Sequence, residues 1–440
     1  MKTSNKLYPV QALIAICGLL TGPGIFGGPS QAAGLDLCGC KGHPQSLGDF
    51  DAAKQDTWPP GSALSDRERI LTIPLPPDGV LIFDSFLASR WGKRTDYQIR
   101  FERNTKNTPV TILVAGDGTI AKHVSVRVDG ADGIRGNQHI HGRGGAPGSG
   151  GFRGGDGAYL DVNGANDGGE GQGPGGGIPG IGKVGEMTGG SAGTFVGSRD
   201  LRPLIGGSGG GGGASTGPGN CSGGGGGGGG GAILFAVNGT LTLDGGINAD
   251  GGYGSHASNG KCSSGGSFGS GGAIRLIAQT VQGGGGMSAR GNRGYQGNQS
   301  PGIIRIESLN SDKLRADWSA PPVIRTHVIG PIVNPVASTV AITAIGDQAV
   351  PDTLNGINGD VDLVLKEPGS VKVQVQTQGV PAGTTVEVAM KPKAGGAAIR
   401  ERAELNASGC NAAGVCTAFV AFDLVSGTYF AEARATFETP

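Results

Sequence analysis

Residues 223–231 are nine consecutive glycines, and they run directly into Ala232-Ile233-Leu234-Phe235-Ala236-Val237. Nine glycines bring no side-chain chemistry. They form either a flexible tether or backbone packed so closely that only hydrogen fits in the side-chain position. The first reading makes the middle of the chain a linker; the second makes it a scaffold. The six residues that follow are apolar and read as a strand.

Working outward, 91 of the 440 residues are glycine, and 61 of these lie between residues 141 and 300. There is no strict Gly-X-Y period, which excludes collagen. Lys and Arg number 35, as do Asp and Glu, and that balance gives no reason to expect nucleic acid or anionic lipid as a partner. At the N-terminus, Lys2 and Lys6 precede a short apolar core, Ala12 to Leu20, then helix breakers and Ser30-Gln31-Ala32. This pattern predicts a secretory signal peptide over residues 1–32, with no transmembrane segment in the mature chain. The mature chain keeps Cys38, Cys40, Cys221, Cys262, Cys410 and Cys416. An even count in an exported protein predicts disulfides, and locality favours Cys221–Cys262 and Cys410–Cys416. The first would be worth roughly 4 kcal/mol and the second roughly 2 kcal/mol by chain entropy. For Cys38 and Cys40, a local bridge, free thiols and other partners all remain open.

Short β-branched or aromatic segments separated by Pro, Gly and Asp-Gly predict strands from Ile70 onward. One motif recurs. Pro109 to Ile120, Gly231 to Leu241, Gly272 to Ala278 and Gly302 to Ile306 each open a strand. The first three lead to second strands at Val126-Arg127-Val128, Ile247-Asn248-Ala249 and Met287-Ser288-Ala289. Such units bury their apolar faces only by stacking. The expected fold is therefore all-β: a glycine-rich parallel β-helix or solenoid-like body, followed by an immunoglobulin-like β-sandwich. A sandwich with long inserted loops is the alternative for the body. The expected organisation is a signal peptide (1–32), an N-terminal arm or cap (33–68), the glycine-rich body (69–308), a linker (309–336) and the sandwich (337–440). The last domain rests on period-two alternation at Val371 to Val375, Thr385 to Val388 and Phe419 to Phe422, with a closing hairpin expected at Ser426 to Ala433. The glycine-rich excursions at 142–230, 251–272 and 282–302 alternate with strand copies, as linkers do not. That favours ordered three-residue-per-turn helices that hydrogen-bond sideways.

Trp58-Pro59-Pro60-Gly61, Ile73-Pro74-Leu75-Pro76-Pro77-Asp78-Gly79-Val80-Leu81-Ile82-Phe83-Asp84-Ser85-Phe86 and Thr108-Pro109 through Asp117 come next into view, followed by the glycine-rich blocks and the C-terminal strands. In this order the chain resembles a family of exported, glycine-rich bacterial proteins of unknown function. The resemblance implies secretion and a β-solenoid-like body, and it implies no reaction and no catalytic residues. A looser similarity, carried by the glycine runs alone, is to phage tail-tip adhesins with packed polyglycine helices.

Candidate chemistry is sparse. His139 and His141 would share one side of a strand, as some metal sites require, but no third ligand has a diagnostic spacing. Asp156, Asp161 and Asp167, interleaved with glycine, are the calcium candidates; the competing reading is that they form turns. Cys38-Gly39-Cys40 with His43 offers metal or redox chemistry against a plain disulfide. Arg275, Arg290, Arg305, Asp244 and Asp250 could serve a polysaccharide-active enzyme, though no pair is singled out by spacing. Tyr159, Tyr253 and Tyr295, expected in exposed loops, would support glycan binding. The leading expectation is a non-catalytic, exported structural or adhesive protein, extracellular, periplasmic or on the cell surface. Its expected partners are surface glycan or envelope and matrix components, and it is expected to need no cofactor unless calcium binds.

Overall fold

The computed structural model describes residues 36–92, 96–137, 140–159, 165–186, 188–216, 222–255, 264–291, 300–315, 317–318, 322–332, 339–350, 362–392, 398–411 and 414–435. The expected signal peptide, His139, Asp161, Cys221, Cys262 and Tyr295 lie outside these residues. The protein is all-β. Among the described residues the helical elements are the short 3-10 turns Gln55–Thr57 and Ala407–Gly409, and no helix is long and apolar enough to cross a membrane.

The first part of the chain contributes β1 (Asp49–Asp51), β2 (Ala63–Ser65), β3 (Ile70–Pro74), β4 (Val80–Phe83), β5 (Ser85–Ala88), β6 (Tyr97–Glu102), β7 (Val110–Val114) and β8 (Gly118–Ile120). It continues with β9 (Val124–Arg127), β10 (Ala232–Leu243), β11 (Gly246–Asn248), β12 (Ala273–Gln282), β13 (Gly286–Ser288), β14 (Ile303–Asn310), β15 (Asp317–Trp318) and β16 (Val323–Thr326). These form a nine-stranded sheet around β10, β12 and β14, and a seven-stranded sheet ordered β15-β13-β11-β9-β6-β3-β2. Pairing is parallel throughout except between β2 and β3.

The recurring motif is the unit of this pairing. Ile233 lies beside Ile274 and Ile274 beside Ile304, so the repeat read along the chain is the register of the sheet. Val110 pairs with Ile233, one residue further along than the first residues of the two motifs suggest. That register puts Val110, Ile233, Ile274 and Ile304 in one inward row and Ile112, Phe235, Leu276 and Ile306 in another. A slip of one residue would turn every one of these side chains outward. Val126, Ile247 and Met287 form the facing row in the second sheet.

Strand pairing runs beyond the expected limits of the body. The expected arm supplies β1, whose Phe50 pairs with Phe86 and stacks on it at 4.7 Å, fully buried. The expected linker supplies β15 and β16. Apolar side chains in both segments meet an open sheet edge, and an unpaired edge of backbone donors and acceptors favours further strands.

The nine glycines are not a tether. All nine N–H groups donate and all nine C=O groups accept, in every case to another segment of chain. Gly225, Gly228 and Gly231 donate to the carbonyls of Ile134, Ala131 and Val128; Gly223, Gly226 and Gly229 donate to Ala158, Gly155 and Phe152. Gly224, Gly227 and Gly230 donate to Ser264, Ser267 and Ser270. Three further segments donate to the run: Gly142, Gly145 and Gly148 from one, Gly207, Gly210 and Gly213 from the next, and Gly252 with Ser255 from the third. The run is thus a rod of three-residue period, surrounded by six others. This is the polyproline II geometry, which makes no internal hydrogen bonds and turns its backbone groups outward. A Cβ atom on Gly225, Gly227 or Gly229 would fall inside contact distance of the carbonyls of Arg143, Gly252 and Gly207.

The C-terminal part has β17 (Thr339–Ile345), β18 (Gln348–Ala349), β19 (Leu363–Leu365), β20 (Gly369–Gln378), β21 (Thr385–Pro392), β22 (Ile399–Glu404), β23 (Val415–Leu424) and β24 (Gly427–Ala435). They form two four-stranded sheets, β18-β17-β20-β23 and β19-β24-β21-β22. A shared core of Val373, Val375, Val386, Val388, Phe422 and Tyr429 is buried. The expected closing hairpin is not one: β23 pairs with β20, while β24 pairs with β19 and β21. The turn between them crosses from one sheet to the other, so that Leu424 and Tyr429 both enter the core. Cys410 and Cys416 are joined by a disulfide, as the sequence predicts.

Candidate functional site

Once the rods have three residues per turn, every third side chain shares a line, repeating about every 9 Å. Glycine and small residues such as Ala214, Ser208 and Ser270 occupy the inward lines. The rod 175–184 shows this most clearly. Gly177 and Gly180 donate inward to Gly209 and Gly212. Ile178 and Ile181 lie three apart on it and are 68% and 57% exposed, and Val184, at the tip of the turn that closes between Lys183 and Glu186, is 66% exposed. The neighbouring rod 188–196 runs antiparallel to it: Ser191 N–H donates to Ile178 O at 2.8 Å, and Thr194 N–H to Gly175 O at 2.7 Å. Ser191 Oγ also accepts from Ile178 N–H at 2.7 Å, and Thr188 Oγ1 donates to Ile181 O. The result is a fixed row of branched aliphatic side chains beside a row of hydroxyls. Its sequence signal, apolar residues at a spacing of three among glycines, is legible only after the period of the rod is known.

A second cluster lies where the rods meet the C-terminal sheets. Lys391 Nζ donates to the carbonyls of Asp167 (2.9 Å) and Gly168. Arg400 binds Glu170 at 2.9 Å and Glu387 at 3.0 Å. Tyr159 stacks on Phe430 at 5.9 Å and packs against His141 at 3.8 Å. Burial lowers the Lys391 pKa. Burial, with Glu170 and Asp156 adding to it, pushes the Glu432 carboxyl up to about 7 against the pull of Lys391 and Arg400. Burial and Asp156 push Tyr159 up to about 12. The cleft among Asp167, Glu170, Lys391, Arg400 and Glu432 is about 40 Å³, room for a water molecule or so and too small for a sugar.

The residues singled out from sequence have other partners. Asp156 binds Arg153 and accepts the Gly144 N–H at 2.6 Å, and Asp167 accepts the Gly182 N–H at 2.6 Å. Asp250 accepts the Arg290 N–H at 2.7 Å, and Asp244 accepts the Gly284 N–H at 3.4 Å. These carboxylates therefore complete backbone hydrogen bonding around the rods and turns. Arg275 and Arg305 converge on Glu307 at 2.8 and 2.7 Å, and the Arg275–Glu307 pair is buried. Burial works against the Glu307 charge, but hydrogen bonds from Arg275, Gly330 and Arg305 hold its pKa below the usual value. Removing one partner of such a pair costs about 3–5 kcal/mol. Tyr159 and Tyr253, expected to be exposed, are half-buried, Tyr253 against Phe268 at 5.7 Å.

The third cluster is on the outer face of the larger sheet. Cys38 and Cys40 form a disulfide. Asn238 sits where the β10–β12 register shifts. Its Oδ1 accepts the Cys38 N–H at 3.0 Å, and its Nδ2 donates to Asp36 at 2.6 Å and to Cys40 Sγ at 3.7 Å. Burial opposes the Asp36 charge, but hydrogen bonds from Asn238 and the N–H groups of Cys40, Lys41 and Gly39 outweigh it and lower the pKa. His43 lies outside this group, its Nδ1 accepting from Gln45 N–H at 3.2 Å.

No protein-family model, no curated protein and no solved structure matches the chain.

Proposed function

We propose that this is an exported, non-catalytic structural or adhesive protein of the glycine-rich bacterial kind its motifs resemble. In this reading the parallel sheets are a β-solenoid-like body, and the rods are a stiff slab grown sideways from its turns. The C-terminal pair of sheets is an immunoglobulin-like sandwich that orients the slab. Support for the last point comes from two packed antiparallel sheets and from Tyr429, whose hydroxyl donates to Val425 O at 2.9 Å, a bond of the tyrosine-corner type. Two disulfides accord with an oxidising, extracytoplasmic location.

The observation that carries the proposal is the exposed apolar set of Ile178 and Ile181, on a lattice of hydrogen-bonded backbone, with Val184 on the adjoining turn. A rigid, exposed apolar row loses little side-chain or loop entropy on contact, and such patches mark interaction surfaces. Glycan binding is the less favoured reading, because Tyr159 and Tyr253 are half-buried.

The test is adhesion of the purified full chain to hydrophobic and glycan-coated surfaces. Replacing Ile178, Ile181 and Val184 together by Ser should lower retention on the hydrophobic surface several-fold while leaving the Tm unchanged. Unchanged retention, selective retention by one glycan, or release of oligosaccharide would each sink the proposal.

A further inference from the structure

The geometry points to a redox-gated cation site formed by Asp36, Cys38 and Cys40, which binds a zinc-like divalent ion when the two cysteines are reduced.

Among the described residues, the exposed Asp36 carboxylate lies within 4.8 Å of both sulfurs of the Cys38–Cys40 disulfide, so reduction would leave two thiols beside it. Two thiolates and a carboxylate are a ligand set for a borderline ion such as zinc, with a fourth position left to water. The set is held in place from behind. Asn238 is buried and fixes both the Asp36 carboxylate and the Cys38 backbone, and the Cys40 N–H donates to the same Asp36 oxygen at 3.2 Å. Outer-shell hydrogen bonds of this kind orient first-shell ligands. Cys40 is fully buried in the cluster with Leu234, Ala236 and Ile277, while Cys38 is half-buried and reachable.

A purely structural bridge explains the arrangement less well. The Cys38–Cys40 bond spans a sequence separation of 2, and chain-entropy stabilisation shrinks with loop size. Asn238 and the apolar contacts already pin this segment to the sheet. In a purely redox pair the carboxylate would stand beside two forming thiolates, a repulsion that a shared cation removes.

The chemistry balances. A phosphine attacks Cys38 Sγ, the S–S bond breaks and Cys40 leaves as a thiolate that takes a proton. Water then releases Cys38 as a thiol and the phosphine as its oxide; a dithiol would serve in the same way, leaving as a disulfide. The divalent ion next displaces one proton from each thiol.

The test uses the full chain with Cys17, Cys221, Cys262, Cys410 and Cys416 replaced by Ser, reduced with a phosphine and titrated with Co(II). The expected result is one Co(II) per chain with thiolate-to-cobalt absorption, displaced by Zn(II), and none before reduction. Asp36→Asn should weaken binding by about tenfold or more. If the multiple variant does not fold, the reduced wild type should lose one equivalent of Co(II) on Cys38→Ser. No thiolate-to-cobalt absorption after reduction, equal binding before reduction, or full affinity in Asp36→Asn would overturn the site.

Discussion

At Gly228 the reason for glycine is a distance. A Cβ there would collide with the Ala146 carbonyl and lie 2.9 Å from that of Gly145, on backbone that cannot yield. At Gly284 a Cβ meets nothing within 4 Å. Gly228→Ala should therefore destabilise the protein by about 2–3 kcal/mol, whereas Gly284→Ala should leave the denaturation midpoint within about 0.5 kcal/mol. Chemical denaturation of the two variants checks this, and equal midpoints would mean that the rods are looser than described. The acidic residues teach the opposite lesson about reading side chains in isolation. Asp156 and Asp167 have the composition of a calcium loop, yet their oxygens are already engaged by Arg153, Gly144 and Gly182. Which partner a carboxylate finds depends on which backbone N–H groups the rods leave open, and that is not local information.

At the scale of elements, the strands and rods are one continuous system. Gly231 leads into β10, Gly272 into β12 and Gly302 into β14, and the second and third junctions each bond to the one before: Ala273 N–H to Gly231 O at 3.0 Å and Ile303 N–H to Gly272 O at 3.0 Å. Hydrogen exchange should show this continuity. The amides of residues 223–231 should be protected to the same degree as those of Ala232–Val237, and exchange at the rate of an unfolded chain would restore the tether reading. The strand repeat was legible because apolar residues at equivalent positions announce the register. The lateral order of the rods was not, because a glycine rod presents identical surfaces on every side. The crossing of β23 to β24 was likewise hidden: a short turn between two alternating strands fits a hairpin and an arch equally well.

At the scale of the whole molecule, rods and C-terminal sheets meet through charge, which makes their contact sensitive to pH. The Glu432 pKa is raised from 4.5 to about 7 in the folded protein. A raised carboxyl pKa means that the folded state binds the extra proton. Its favourable contribution is complete below the unfolded value and is lost as pH rises through about 7. Stability of the junction should therefore fall between about pH 4.5 and 7, and Glu432→Gln should flatten that slope. Thermal unfolding across this range, wild type against variant, reads it out; parallel curves would show that Glu432 is solvated. The sequence by itself determined that the chain is all-β, that its strands repeat, and that Cys410 has a partner at Cys416. These follow from periodicity and short separation, which are local. Tertiary structure alone decided that nine glycines sit inside a ring of six rods, that Lys391 reaches Gly168, and that Asp36 meets Asn238 across 202 positions of sequence. Those contacts arise from closure of long loops, and glycine, having no side chain, carries no pattern that foretells where its backbone will pack.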